Sequence, residues 1–253
     1  MTSTNPGTAV PPQPGLPNVD VAEYGGKKNG ERQVQNRRLF FELVVFDAPT
    51  GANTEVLSAS FCSALSARQI PFVAYADVRQ PRGFGLLTWS EDPAYFVRAV
   101  RPIFADELAS VEVRPSFAML GRTYATGHEP DLEHALLRRS IENVIHPSFP
   151  WHVWYPLRRN AAFNRLPADE AGPILREHAQ IGMAYGQADL AHDIRLACHG
   201  LDAADNEFVI GLVGRDLHPL SHLVQTMRKT RQTSEFIEKM GPFFVGYVLG
   251  RNG

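Results

Sequence analysis

The sequence predicts an α+β protein: two fused ferredoxin-like (βαββαβ) domains forming a dimeric α+β barrel-type structure. Three observations carry that prediction. Short runs rich in Val, Phe, Tyr and Trp alternate with amphipathic helical stretches in the order βαββαβ, a unit that lays two helices on one face of a four-stranded antiparallel sheet. The same order then occurs a second time. The third strand and second helix also match between the copies. GFGLLTWSEDPAYFVRAVRPIF, from Gly83, reads beside EFVIGLVGRDLHPLSHLVQTMR, from Glu207, with a proline early in each helix.

Residues 1–36 are rich in Pro, Gly, Asn, Thr and Gln and have little to bury, so a mobile tail is expected. The first domain, 37–120, opens with a strand from Leu39 to Phe46, apolar enough to be covered on both faces. Pro49, Gly51 and Asn53 turn the chain into a helix, Thr54 to Arg68, with Val56, Leu57, Phe61 and Leu65 inward. Pro71 ends it. Strands Phe72 to Ala76 and Phe84 to Trp89 follow, joined by a turn at Pro81, Arg82 and Gly83. Asp92 before Pro93 is an N-cap followed by proline at the first helical position. That helix carries Phe96, Val100, Ile103 and Phe104, and a strand from Ser110 to Leu120 completes the unit.

A polar linker, 121–149, holds His134 and His146 and a short helix near 131–141. In the second domain, 150–253, Trp151 to Tyr155 is a strand that Pro156 should close, since proline cannot donate to a ladder. A basic loop with Arg158 and Arg159 leads to a helix over 167–185, whose N-terminal end Asp169 and Glu170 suit. Strands Ile194 to Cys198 and Glu207 to Val213, a helix from Asp216 to Lys229, and a last strand from Phe243 to Leu249 follow.

Composition excludes several function classes. Net charge is −2 over 253 residues, far from the basic footprint of a nucleic-acid-binding domain. No apolar run approaches the ~18 residues a bilayer span needs. The N-terminus lacks the pattern of a secretory signal, which makes the cytoplasm the simplest compartment. Cys62 and Cys198 give neither metal spacing nor a disulfide framework and read as free thiols. No Gly-rich phosphate loop, Gly-x-Ser-x-Gly elbow or Cys-x-x-Cys pair is present.

Several residues are candidates for chemistry. Ile174, Leu175, Ile181 and Tyr185 recur at helical spacing, and His178 falls on that stripe. It is either a core imidazole bonded to a carbonyl, or a metal or haem ligand kept neutral by burial. Tyr155, at a strand end beside the basic loop, is either a half-buried sheet aromatic or a phenol that gives up a proton or hydrogen atom. Arg158 and Arg159 are either solvated or a fork for carboxylates. Arg195, inside the apolar strand IRLAC, needs an anionic partner if it faces inward. His218 and His222 have the i, i+4 spacing of a helical metal pair but lack an obvious third ligand.

The segment WYPLRR-NAAFNRLP-ADEAGPILREHAQIGMAYG resembles the chlorite dismutase family, which includes the coproheme decarboxylases that make haem with hydrogen peroxide. The likeness covers 150–249 in sequence and rests on element order before that. Tyr155 stands 23 residues before His178, as in that family, and GPFFVG at 241–246 is similar to the decarboxylases' end. The resemblance implies haem b or iron coproporphyrin (coproheme) as cofactor, with His178 the iron ligand. It puts Tyr155 at the decarboxylases' catalytic tyrosine and Arg158 and Arg159 near the porphyrin propionates. It also implies hydrogen peroxide or chlorite as co-substrate and a ring-shaped homo-oligomer, commonly a pentamer. Phe163 and Asn164 depart from the family's Trp-Trp or Trp-Tyr pair. Aligned backwards from Phe208, Arg195 takes the distal position; aligned forwards from His178, Ala191 does. Gln232 falls where chlorite dismutases place a glutamate behind the histidine, and a neutral amide there makes His178 a weaker electron donor. These features lead to an expectation of peroxide-dependent coproheme decarboxylation. The alternatives are chlorite conversion to chloride and dioxygen, or a porphyrin-binding protein without catalysis.

Overall fold

The computed structural model describes residues 15–253; the first part of the expected tail lies outside the described residues. The remainder of that stretch is not a tail. It forms a hairpin, β1 (Glu23–Lys28) and β2 (Glu31–Gln35). The Gly26 N–H donates to Glu129 O at 3.0 Å, and the Gln33 amide donates to the carbonyls of Glu129 and Pro130 at 3.0 and 3.1 Å. These partners lie about a hundred residues away, so the hairpin's order comes from docking rather than from its own composition.

The chain continues as β3 (Phe40–Asp47), α1 (Thr54–Ala67), β4 (Phe72–Asp77) and β5 (Gly83–Ser90). Asn53 caps α1, accepting from the N–H groups of Glu55 and Val56 at 3.0 and 3.1 Å. The next helix is a π turn (Phe96–Val100) running into α2 (Arg101–Ala105). Pro102 has no N–H to give the preceding turn, so the ladder widens there. The expected strand over 110–120 is broken in two. Pro115 opens a 3-10 turn between β6 (Glu112–Val113) and β7 (Met119–Arg122). Within the expected linker lie α3 (Leu132–Leu137) and α4 (Arg139–Val144). Then come β8 (Trp151–Arg159), α5 (Ala168–Gln187), β9 (His192–Ala197), β10 (Phe208–Gly214), α6 (Leu217–Met227), α7 (Arg231–Phe236), β11 (Ile237–Met240) and β12 (Phe244–Asn252).

The expected fold class needs correcting. The two halves do not form a dimeric barrel of two ferredoxin-like sheets. They share one ten-stranded sheet in the order β10-β9-β7-β3-β5-β4-β12-β8-β11, with β6 beside β3 and a further pairing of β10 with β8. Its pairings are antiparallel but uneven. β4 and β12 pair over most of their length, whereas β7 meets β9 at one residue pair, Arg122↔Ala197. The physical reason is Pro115, which shortens β7 to four residues and leaves little edge for β9. Among the described residues, no helix is long and apolar enough to cross a membrane.

One face of the sheet buries a core common to both halves: Phe41, Leu43, Tyr75, Leu87, Trp154, Ile194, Leu196 and Phe244. On the opposite face each half has its own layer. Under α1 and α2, Phe46, Phe61, Phe84 and Phe104 pack edge-to-face and stacked, with ring centres 5.6–5.9 Å apart. Under α5 and α6, Val153, Tyr155, Leu212, Leu220 and Leu223 form a second layer.

Buried in the common core, His152 Nε2 lies 3.2 Å from Phe149 O, and Tyr75 Oη lies 2.9 Å from His152 Nδ1. With Nε2 donating to the carbonyl, Nδ1 accepts from the tyrosine, so the ring is neutral. Burial pushes its pKa down to about 3. Below the ordinary histidine value of about 6.5 the unfolded chain takes up a proton that the folded chain refuses. Stability contributed by neutral His152 is therefore complete above that pH and lost on acidification, at about 1.4 kcal/mol per pH unit. Urea unfolding at pH 6.5 and 5.5 should show this extra loss in the wild type and not in His152→Gln. Equal losses in both would refute it.

Candidate functional site

β9, β10 and β8 lie side by side, and their register decides which side chains meet. Ile210 pairs with Tyr155 on one side and with Arg195 on the other. Because strand side chains alternate and paired residues share a face, Tyr155, Ile210 and Arg195 form one row on the face under α5. Two strand spacings put the backbones of Tyr155 and Arg195 roughly 10 Å apart. The next row is Leu157, Phe208 and Ala197. Residues 40 apart in sequence are thus presented as a single surface.

Tyr155 is buried and stacks on Phe243, ring centres 4.6 Å apart at 26°. Burial raises its phenol pKa, with the negative charge of Asp193 adding to the effect. It is a neutral phenol at physiological pH.

Arg195 lies beside Asp193, Nε to Oδ2 at 2.9 Å, and Arg139 reaches the same carboxylate at 2.8 Å. Ile194 and Leu196 face the common core, so Arg195 lies on the opposite, partly exposed face, where Asp193 is its anionic partner. It stands two residues before Arg195 on the same strand face, a relation that the alternation of a strand contains and the sequence reading missed. Tyr124, Glu129, Arg139, Ser140 and Arg195 line a small polar cavity beside this pair. Ala191 precedes β9 and is buried in the apolar layer. Of the two alternatives for the distal position, Arg195 is the one whose side chain belongs to the row with Tyr155.

The expected basic loop is a strand. β8 continues through Pro156, whose carbonyl accepts from Gly241 N–H at 2.8 Å in the segment between β11 and β12. The proline's missing donor faces this gap between neighbouring strands, so it costs no ladder bond. Being on a strand, Arg158 and Arg159 point to opposite faces. Arg159 shares the face of Tyr155. It pairs with Glu207 at 3.1 Å and lies over the rings of Phe163 and Phe208, at 4.5 and 4.9 Å. Arg158 turns away to Asp205 and Glu238, at 3.2 and 3.1 Å. The two arginines are not one fork.

α5 crosses the row. Ile174 is buried, and Ile181 and Tyr185 pack on the apolar layer, as the helical stripe requires. Leu175 does not: it is 44% exposed, being one residue off the stripe. His178 is half-buried, and its Nδ1 is buried without a hydrogen-bond partner. Its pKa is lowered by burial first and by the positive charge of Arg195 second, with Asp193 and Glu177 opposing. These influences favour the neutral ring. α7, not foreseen from the sequence, docks beside it. Arg231 N–H donates to Glu177 Oε2 at 3.1 Å, and the neighbouring Gln232 has its Oε1 buried and unpartnered. Phe163 packs against Phe236 and Ile174 under this end of α5.

The family model described as chlorite dismutase matches residues 84–249, which takes in every strand and helix of this site. The chain belongs to the chlorite dismutase family. Solved structures agree in fold. The crystal structure of TA0507, assigned as a chlorite dismutase, is 16% identical, with a TM-score of 0.68 over 85% of this chain and 96% of that one. A heme-binding protein from Thermus thermophilus is 17% identical, with a TM-score of 0.63 over 85% and 92%. The chlorite dismutase of Candidatus Nitrospira defluvii in complex with imidazole is 12% identical, with a TM-score of 0.63 over 85% and 93%. No curated protein matches the chain by sequence. Within the chlorite dismutase family, this member shows a neutral, orphaned histidine on α5 set against a sheet row carrying both a tyrosine and an arginine.

Proposed function

We propose that this protein is a haem-dependent oxidoreductase acting on a small anionic oxidant of the chlorite kind, with His178 as iron ligand and Arg195 as the residue that meets the oxidant. The observation carrying this reading is the Tyr155–Ile210–Arg195 row beneath α5, the helix on which His178 has its Nδ1 buried and unpartnered. The residues fit the cofactor. A haem needs a neutral imidazole, an apolar bed and cationic edges for its propionates. His178 Nδ1 is a buried orphan, Ile210 and Phe208 are apolar, and Arg159 lies at the rim.

Bound iron porphyrin would supply the redox centre at which chlorite is split into chloride and dioxygen. The chain does the rest. Gln232 Oε1 and His178 Nδ1 are both buried without a partner; paired with each other, they would leave Nε2 of His178 to hold the iron. Arg195, aimed by Asp193, holds the anion by its guanidinium fork. Tyr155 stays protonated behind Phe243 and closes the apolar side of the row. The reading extends to a homo-oligomer, which would cover the exposed Leu175 and Met183 of α5.

A second reading, oxidative decarboxylation of coproheme by hydrogen peroxide, is favoured by Tyr155 itself. Peroxide acting on a bound iron porphyrin would supply the oxidising equivalents; Tyr155, having lost an electron and its proton to them, would be a phenoxyl radical able to take a hydrogen atom from a propionate side chain and return to the phenol. One set of assays separates the two. Loaded with haem b, the wild type should release dioxygen from chlorite with sustained turnover, and Arg195→Ala should lower kcat/KM by about 10²-fold. If coproheme and peroxide instead give stepwise loss of two carboxyl groups that Tyr155→Phe abolishes, the decarboxylase reading replaces the first. Binding with neither reaction would leave a porphyrin-binding protein, the outcome that Phe163 and Asn164 favour.

A further inference from the structure

α6 carries a second group of metal-competent side chains that the haem reading does not use. His218 and His222 stand one turn apart on the exposed side of the helix, their ring centres 6.0 Å apart at 42°. Tyr185 of α5 reaches across to His222 Nδ1 and to Thr226 Oγ1, the latter at 3.2 Å. A phenol has one proton to give. The contact holds the ring with Nε2 turned away from Tyr185; in the tautomer that carries its proton on Nδ1, donated to the phenolic oxygen while the phenol donates to Thr226, the lone pair of Nε2 is free, the arrangement that supports a ligating histidine in metal sites.

We propose that His218 and His222 form a surface site for a divalent transition-metal ion, Cu(II) in preference to Ni(II) or Zn(II), with Tyr185 as a positioning residue. Two imidazoles bound at about 2.1 Å hold their ring centres roughly 5 Å apart, so a small side-chain rotation from 6.0 Å suffices. Two other histidines, His134 and His192, have a ring nitrogen occupied by a carboxylate, Glu142 and Asp189, each at 2.8 Å. His218 and His222 have none among the described residues. No group of three or more His, Cys, Asp or Glu side chains among the described residues is placed to hold an ion there, so water completes the coordination and the ion exchanges with solution. Preference for Cu(II) follows from the general stability order of nitrogen sites. The site is separate from His178: Tyr185 lies two turns further along α5, about 10 Å by helical rise.

The test is titration of the full chain with Cu(II) chloride, followed by calorimetry and electron paramagnetic resonance. One ion per chain should bind at the tightest site, with couplings to two nitrogens. His218→Ala and His222→Ala should each weaken that site by at least about tenfold and reduce the coupling to one nitrogen. Tyr185→Phe should weaken it by about tenfold while keeping both nitrogens. His178→Ala should leave it unchanged. Full affinity in His222→Ala, or loss in His178→Ala equal to that in His222→Ala, would overturn the proposal. A thermal melt of each variant separates loss of the site from loss of the fold.

Discussion

On the haem reading proposed above, iron porphyrin added to the wild-type chain should give a histidine-ligated absorbance spectrum, and replacing His178 with alanine should abolish it. The loss of affinity should exceed the roughly 10–100-fold that removal of a supporting contact costs at a metal site. The fold should not suffer. Alanine is the best helix former, and the substitution removes a buried nitrogen that has no partner. Thermal stability of the ligand-free variant should therefore equal or exceed that of the wild type. Imidazole added to the solution should restore part of the spectrum by entering the space on α5. A variant that binds porphyrin with an unchanged spectrum would return His178 to the reading of an ordinary half-buried histidine. Acidification gives a companion signature. Because burial and Arg195 lower the pKa of His178, loading should be insensitive to pH above the ordinary histidine range. It should fail only as the pH falls through that lowered value.

Gly211→Ala should cost about 3 kcal/mol of folding stability, near the upper end for overpacking a core. A Cβ on Gly211 would lie 2.6, 2.7 and 2.9 Å from Cζ3, Cη2 and Cε3 of Trp154. The indole cannot retreat. Trp154 is fully buried within the common core, and Gly211 pairs with it across β8 and β10. Gly182→Ala is the control. Its Cβ would meet nothing nearer than Met227 Cε at 3.7 Å, and in a helix interior it should stabilise by about 0.5–1 kcal/mol. Urea midpoints moving in opposite directions would confirm both. A neutral Gly211→Ala would mean that the sheet yields where the core is densest.

The elements legible in the sequence were those whose burial is written in their own composition. β3, β5 and β10 are nearly continuous apolar runs, and α1 has a capping asparagine before an amphipathic stretch. They emerge within a residue or two of the expected bounds. His178 stands out in the sequence as a polar residue on an apolar stripe, and the structure places it half-buried on α5. The failures have a different origin. Pro156 and Pro115 bear the same local signal, yet one is absorbed into a strand and the other breaks one. The difference lies in whether a neighbouring strand needs the missing N–H, and that is fixed by residues far away. The β1–β2 hairpin depends on Glu129 and Pro130 in the same way. Arg158 and Arg159 look like a pair because they are adjacent, but a strand separates neighbours and unites residues two apart. That alternation also hides Asp193 as the companion of Arg195, although both stand in plain view.

The phenylalanine layer under α1 and α2 has a bearing on how the two copies could diverge. A face filled by its own rings is answerable only to volume: any set of side chains that fills the same space will serve. The matching face under α5 would answer instead, on the haem reading, to chemical identity, because Tyr155 and Arg195 in the sheet row and His178 on the helix above it would each have to keep their place. On the haem reading, the half under α1 and α2 would act as a buttress, and the half under α5 could carry an orphaned nitrogen and a half-exposed helix because the shared sheet is held from the other side.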